Sequence, residues 1–387
     1  MRRWLLGALA LVAVLAAGFF LFAPGYVEAE RNVIDGGELP EISAEAQKLH
    51  DTLTIVDLHG DTLLWQRDLI DRADRGHIDL PRLQEGNVAL QVFSSVTKTP
   101  RGQNYDHNSG DTDNITLLVF GQLQPVRTWG SLLERSLWHA TKLERAVDGS
   151  EGELFVVRQP DNFAHVGEGK VGAMISIEGL HNLEGDIANL ARLYDAGFRM
   201  GGLTHFFDNE LAGSAHGMAK GGLTPFGKEV VREMEQRGMI VDIAHCSAAC
   251  IADVLKMARR PVVSSHGGVQ GTCPGPRNLS DEQIRGIAKT GGLIGIGYWE
   301  GAVCDTSPAA IAKAMRYTAD LVGVEYVALG SDFDGSVATR FDTSQLAQVT
   351  QALMQAGLSE GDISAIMGGN ALRVLRQGIT PLAKESD

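Results

Sequence analysis

Two side chains able to hold a cation stand two positions apart in "IVDLHGDTL" (residues 55–63), where His59 and Asp61 project to the same side of an extended chain at the end of an apolar run. The arrangement recurs. Glu178 follows the apolar part of "GAMISIEGL" (172–180), His205 lies in "MGGLTHFF" (200–207), His245 in "MIVDIAHCS" (239–247), His266 in "PVVSSHGG" (261–268), and Asp332, with Asp334 behind it, in "YVALGSDFDG" (326–335). Taken singly, a histidine or aspartate at a strand end is a turn residue or a hydrogen-bonded core polar group. Seven such groups converging on one place are costly unless they are paired or bind an ion, so together they read as a metal centre. His59, Asp61, Glu178, His245 and His266 exceed the three protein ligands typical of one catalytic zinc with an open position. Two ions bridged by Glu178 would each receive three protein ligands and a shared water. A pair of cations roughly 3.5–4 Å apart generates hydroxide near neutral pH and polarises a substrate carbonyl at the same time. Imidazole and carboxylate without thiolate suit Zn²⁺ first, with Mn²⁺ or Co²⁺ as alternatives.

Asp332 is left over once the ligands are assigned, and a carboxylate beside an activated water can take its proton and pass it to a leaving amine. His205 can steady the oxyanion of a tetrahedral intermediate. Arg277, in the Gly/Pro-rich loop "GTCPGPRNLS" (271–280), can clamp a substrate carboxylate bidentately, although a loop arginine is otherwise simply solvated. Asp57 and Asp242 fall inside strands and are expected to accept structural hydrogen bonds. Cys246 should alternate away from its neighbour His245 into the core. His216, in "ELAGSAHGMAKGG" (210–222), divides evenly between substrate contact and solvent exposure.

Eight apolar runs must position these groups: 54–61, 88–95, 172–180, 200–207, 239–247, 261–268, 292–299 and 326–335. Several are apolar throughout before their polar ends, as strands covered on both faces are. Helical patterns at 186–197, 224–238, 247–258, 280–292 and 307–323 alternate with them; Ser280 with Gln283 forms a capping box, and Thr224 caps ahead of Pro225. Strand–helix alternation of this kind predicts an α/β fold, a (β/α)₈ barrel whose strand ends share one mouth. The competing doubly wound sheet is weakened because no GxGxxG follows the first strand. A long insert between strands two and three, 96–171, carries a helix near Trp129 to Val147 and should cap or flank the mouth.

The chain of 387 residues is 44% hydrophobic with a formal charge of −14 and no cluster of five basic residues, so a nucleic-acid backbone would be repelled. Four cysteines are too few for a disulfide scaffold and leave a single bridge open. Residues 5–23, "LLGALALVAVLAAGFFLFA", are 19 uncharged residues and about 28 Å of helix, enough to cross a bilayer. That length favours an uncleaved membrane anchor over a signal peptide cut after Ala29. In either case Arg2 and Arg3 stay cytoplasmic, and the rest is exported to the periplasmic or extracellular face. Residues 24–45 read as a short tether, and 46–380 as the catalytic domain.

In sum the chain resembles the membrane dipeptidase (renal dipeptidase-like) family of metallopeptidases, among the amidohydrolase-type barrels. The likeness spans about residues 50–377 and rests on "DLHGDT", "SIEG", "LTHFFDN", "DIAHCS", "VVSSHGGV", "PRNLSDEQI", "GSDFDG" and "GGNALRVL", in that order. It implies two zinc ions, with His59, Asp61 and Glu178 on one and Glu178, His245 and His266 on the other. It further implies Asp332 as the proton-shuttling carboxylate, His205 and Arg277 as substrate contacts, and dipeptides as substrates, including those with a carboxyl-terminal D-residue. Mammalian members carry a C-terminal lipid anchor and intersubunit disulfides. Here the C-terminal "TPLAKESD" is polar and the apolar segment is N-terminal, so attachment differs and a homodimer stays open. Two rivals share some of these features. One is a barrel hydrolase acting on a cyclic amide, lactone or phosphoester, which would not need Arg277. The other is a non-catalytic membrane-tethered binding protein.

Overall fold

A computed structural model describes residues 2–382. Met1 and residues 383–387, the end of the polar C-terminal stretch, lie outside the described residues. The eight apolar runs form eight parallel strands: β1 Ile55–Gly60, β2 Val88–Val96, β3 Val171–Glu178, β4 Phe198–Gly202, β5 Ile240–Asp242, β6 Val263–Ser264, β7 Leu293–Ile296 and β8 Val327–Leu329. Neighbours in sequence are neighbours in space. The register runs from Leu90↔Gly172 to Val96↔Glu178 between β2 and β3, and the pairing Leu329↔Asp57 between β8 and β1 closes the ring. The sheet is therefore a closed (β/α)₈ barrel, and the open-sheet alternative is excluded.

The intervening helices match the sequence pattern. Ser280 and Gln283 form the expected capping box on Asp281–Lys289, and the Thr224 hydroxyl accepts from Gly227 N ahead of Pro225–Arg237. Two buried layers result, one inside the ring (Val56, Leu58, Met174, Met200) and one between strands and helices (Ile55, Phe93, Ile175, Phe198). β5 and β6 are only three and two residues long, shorter than their apolar runs, because the chain leaves the ladder before the polar side chains at their ends.

The insert between β2 and β3 is helical, with Ile115–Gly121 and Leu132–Gly149, and adds a short strand, Leu154–Val156, paired to the first half of β3. Arg135 is buried at the insert's centre, donating to the Thr128 and Thr97 carbonyls and pairing with Asp113 at 2.6 Å.

Residues 24–45, expected as a tether, are instead bound to the barrel. The N-terminal helix runs unbroken from Arg2 to Arg31 through Pro24. Glu28, fully buried, pairs with Arg67 at 2.5 Å and Arg75 at 3.0 Å. Val33–Ile34 pairs in parallel with Ala338–Thr339. The Pro40 and Glu41 carbonyls accept from Gln348 and Gln351, and Ser43 N donates to the Gln351 side chain. All these partners except Arg67 and Arg75 lie some 300 residues away, which is why a polar, aperiodic stretch gave no hint of them.

Candidate metal centre

At the C-terminal rim of the barrel the seven predicted groups come together, each buried at or below 8% exposure. Glu178, at the end of β3, stands at the middle. Its Oε1 is 2.9 Å from His245 Nε2, 3.2 Å from His266 Nε2 and 3.7 Å from His59 Nε2, and its Oε2 is 3.5 Å from His205 Nε2. His59 Nε2 lies 3.5 Å from Asp61 Oδ2 and 3.9 Å from Asp332 Oδ1. Backbone strain helps aim the set: His245 and Asp332 hold φ of 63° and 62°, a left-handed conformation uncommon outside glycine and concentrated at functional sites. Gly179, with φ 90°, turns the chain just beyond Glu178 where a Cβ would strike the His181 ring.

Asp57 and Asp242 do accept structural hydrogen bonds, and in doing so they fasten the strand exits that carry the site. Asp57 accepts from Ser331 N, the Ser331 hydroxyl and His59 N, joining β8's exit to β1. Asp242 accepts from Ser265 N at 3.0 Å, the Ser265 hydroxyl at 2.5 Å and Ala244 N at 2.9 Å, joining β6's exit to β5. Because the single Ser265 hydroxyl proton goes to Asp242, that oxygen must accept from His266 Nδ1, 2.9 Å away. The His266 proton is thereby fixed on Nδ1 and its Nε2 lone pair faces Glu178, the protonation a metal ligand needs.

The donor set fits cations. The Nε2 atoms of His245 and His266 lie only 3.0 Å apart around one carboxylate oxygen. His59 Nε2 and Asp61 Oδ1, both turned into the cluster, are buried without hydrogen-bond partners. Such orphans are expensive unless an ion satisfies them. His59, Asp61 and Glu178 can offer one ligand atom each within 4.8 Å of one another, and so can Glu178, His205 and His245. Without a cation, burial and the nearby Asp61 push the Glu178 carboxyl well above its ordinary range. Burial opposes charge on His59, but Asp61 and Glu178 outweigh it and raise its pKa to about 10, a proton standing where positive charge is demanded. Burial raises Asp332 to about 8 against the pull of His59, while it holds His205, His245 and His266 well below the usual imidazole range.

Arg277 is not solvated. It is buried, donates Nη2 to the His266 carbonyl at 2.7 Å, lies 5.9 Å from the Trp299 ring, leaves Nε buried without a partner, and lines the cavity. Its loop is fastened by a disulfide between Cys273 and Cys304, the single bridge left open by the sequence. Cys246 is buried against Cys250 and Thr204, in the core as expected. His216 is neither exposed nor a wall of the cavity; it is buried, with its ring stacked 4.5 Å from Phe206 and Nδ1 donating to the Tyr105 carbonyl.

A cavity of about 620 Å³ opens over the centre. Its walls include three aromatic groups that sequence reasoning missed, Trp65, Tyr105 and Trp299, with Trp299 Nε1 donating to the Tyr105 hydroxyl at 2.9 Å. Tyr105 belongs to the insert, which thus flanks the mouth as expected. No periodicity marks it.

Residues 43–385 match the sequence profile of the membrane dipeptidase family, peptidase family M19. The chain belongs to that family. It is 31% identical over 342 residues to the dipeptidase aclJ of Aspergillus oryzae, covering 83% of this chain and 77% of that one, and 29% identical over 349 residues to the dipeptidase verJ of Clonostachys rogersoniana, covering 86% of each. Two solved structures share the fold. The probable dipeptidase PvdM of Pseudomonas aeruginosa superposes with a TM-score of 0.72 at 21% identity, over 87% of this chain and 98% of that one. A metallo peptidase of Rhodobacter sphaeroides, liganded with a phosphinate mimic of L-Ala-D-Ala, gives 0.70 at 21% identity over 85% and 100%. This M19 chain is accordingly a hydrolase of a metallo-dipeptidase family, and the rival reading as a non-catalytic binding protein falls.

Proposed function

We propose that the catalytic domain, residues 46–380, hydrolyses the peptide bond of dipeptides, including those with a C-terminal D-residue, at a centre for two zinc ions. His59, Asp61 and Glu178 would hold one ion, and Glu178, His245 and His266 the other. The observation that carries this reading is Glu178 Oε1 flanked by three imidazole Nε2 atoms between 2.9 and 3.7 Å, a placement suited to a bridging carboxylate. When bound, the ions supply Lewis acidity toward a carbonyl and lower the pKa of water.

The chain's own residues do the rest. Asp332, buried and 3.9 Å from His59, accepts the proton of the attacking water at its carboxylate and returns it to the leaving amine. Its pKa of about 8 without cations would fall as positive charge arrives beside it, leaving it ionised as a base. His205 Nε2 faces the cavity and can donate to a developing oxyanion when the proton sits there rather than on Nδ1, whose contact with the Lys98 carbonyl is long at 3.5 Å. Arg277, with its free Nε, takes the substrate's terminal carboxylate. Recognition through charged termini leaves the configuration of the second residue loosely read, consistent with the L-Ala-D-Ala mimic in the Rhodobacter sphaeroides relative.

The N-terminal helix, with mean hydropathy 2.7 and none of that apolar window buried, would anchor the domain on the exported face of a membrane. The Cys273–Cys304 bridge fits an oxidising compartment. The burial of Glu28 favours retention, since cutting after Ala29 would strip Arg67 and Arg75 of this partner. The test is to purify the full chain in detergent, count metals, and assay L,L and L,D dipeptides beside their C-terminal amides. Two zinc ions per chain are expected, with turnover of both series and at least tenfold weaker kcat/KM for the amides. Equal cleavage of amides would remove the Arg277 clamp, and one ion at full activity would remove the pair.

A further inference from the structure

Beyond residue 34, only seven large hydrophobic side chains among the described residues are exposed, and five fall within thirteen positions of the insert: Leu117 (61%), Phe120 (39%), Leu123 (63%), Val126 (72%) and Trp129 (40%). Monomeric proteins scatter such residues singly, and a cluster marks a contact. The stretch from Asn114 to Val126 contains no charged residue. The patch also adjoins the N-terminal helix. Phe20 packs on Phe120 with ring centroids 5.5 Å apart, Phe120 packs on Trp129 at 5.2 Å, and Gly121 lies so close to Phe19 and Pro24 that a Cβ would sit 3.6 Å from each.

We propose that this patch is a second membrane contact, with the 115–129 segment resting in the interfacial layer of the bilayer that the N-terminal helix crosses. The inference rests on the anchor reading above and goes beyond it, because the helix, although held to the barrel through Glu28, does not by itself say which part of the insert enters the lipid. Level and composition carry the argument. The apolar stretch ends at Ala23, so Phe19 and Phe20 lie about one helical turn inside its outer end, at about 1.5 Å per residue. Whatever touches Phe19, Phe20 and Pro24 is held within several ångströms of the membrane surface. Interfacial segments insert apolar side chains to about 5–10 Å, and tryptophan is favoured at that depth. A second copy of the chain could also cover apolar surface, but the helix flanking this patch has its own exposed side chains Phe19, Leu21 and Phe22 facing lipid, making one continuous apolar surface.

The consequence is an oriented active site. The cavity over Glu178 and Asp332 is walled by Phe19 and Val27 of the helix and by Ile115 and Leu118 of the insert. Docking the patch sets this side of the mouth against the bilayer surface, so that substrate arrives along the membrane face.

The test places an environment-sensitive fluorophore on single cysteines in the full chain, reconstituted in phospholipid vesicles, at Leu123→Cys, Val126→Cys and, as a remote exposed control, Lys228→Cys. Lipids brominated at shallow acyl positions should quench the probes at 123 and 126 at least threefold more than the probe at 228, with dipeptide turnover in detergent unchanged. Vesicle-bound protein that resists an alkaline wash but shows equal quenching at all three positions overturns the second contact and leaves the anchor standing. Dimer-specific crosslinking through 123 and 126 without lipid quenching overturns it in favour of a second copy. Release of the protein by the wash overturns the anchor and this inference with it.

Discussion

Replacing Glu178 by Gln keeps the side chain's shape and removes its charge from the one position where three imidazoles meet. The carboxylate contacts fall between 2.9 and 3.7 Å. At about 4 Å and an effective dielectric of about 20, one unit charge is worth about 4 kcal/mol. Retaining even a third of that loss after relaxation weakens binding about tenfold, and two-thirds about a hundredfold. If Glu178 bridges the proposed pair, the loss is imposed twice, so Glu178→Gln is expected to raise the apparent dissociation constants of both proposed zinc sites by about 10²-fold. The metal-free proteins should behave in the opposite sense. Without cations Glu178 is a buried carboxyl pushed toward its neutral form by desolvation and Asp61, so the neutral amide relieves the cluster rather than damaging it. Thermal unfolding in chelator should therefore show the variant at least as stable as the parent, while zinc should raise the melting temperature of the parent much more than that of the variant. Competitive metal titration with elemental analysis reads the first expectation, and scanning calorimetry with and without zinc reads the second. Unchanged loading of two ions would exclude Glu178 as a metal ligand, and loss of only one would show that Glu178 serves a single ion and bridges nothing.

Asp332→Asn should keep metal content near normal and lower kcat about 10²-fold or more, as loss of proton transfer at a positioned group does; unaltered turnover would clear Asp332 of that role. Cys304→Ser opens a bridge between residues 31 apart, a loop whose closure entropy corresponds to about 3–4 kcal/mol, and it also loosens the Arg277 loop. Denaturant melts should show that loss and dipeptide KM should rise more than kcat falls, whereas a silent variant would mean that the loop is held by Asn278 and its carbonyl partners alone. Burial depresses His181 to about 3, so it stays neutral in the fold while its unfolded counterpart charges below about 6.5. Its stabilising contribution is complete above that pH and is lost as pH falls from about 6.5 toward 3, by about 1.4 kcal/mol per unit. In chelator, His181→Gln should flatten the fall in unfolding free energy with acidification by that slope, and parallel curves would contradict it.

The convergence of these side chains was legible because a parallel barrel turns a one-dimensional rule into a three-dimensional one: groups at the carboxyl ends of strands share a rim. His59, Glu178, His245 and His266 obeyed that rule, so reading strand ends was enough. Arg277 obeyed no such rule. Its burial depends on a loop pinned by Cys273 and Cys304, and two cysteines 31 residues apart carry no pairing signal in a chain with four. Tyr105 and Trp65 were hidden for a related reason, because cavity walls outside regular elements leave no period to detect. The largest departure was residues 24–45. Glu28 looked like one polar residue in a linker, yet it meets Arg67, which also pairs with Asp334, two positions beyond Asp332. A buried acid there is held by Arg75 and by this guanidinium, which is shared between the N-terminal helix and the β8 exit. The rim is thus joined through three charged side chains to the long apolar N-terminal helix, a coupling that local sequence pattern has no means of expressing.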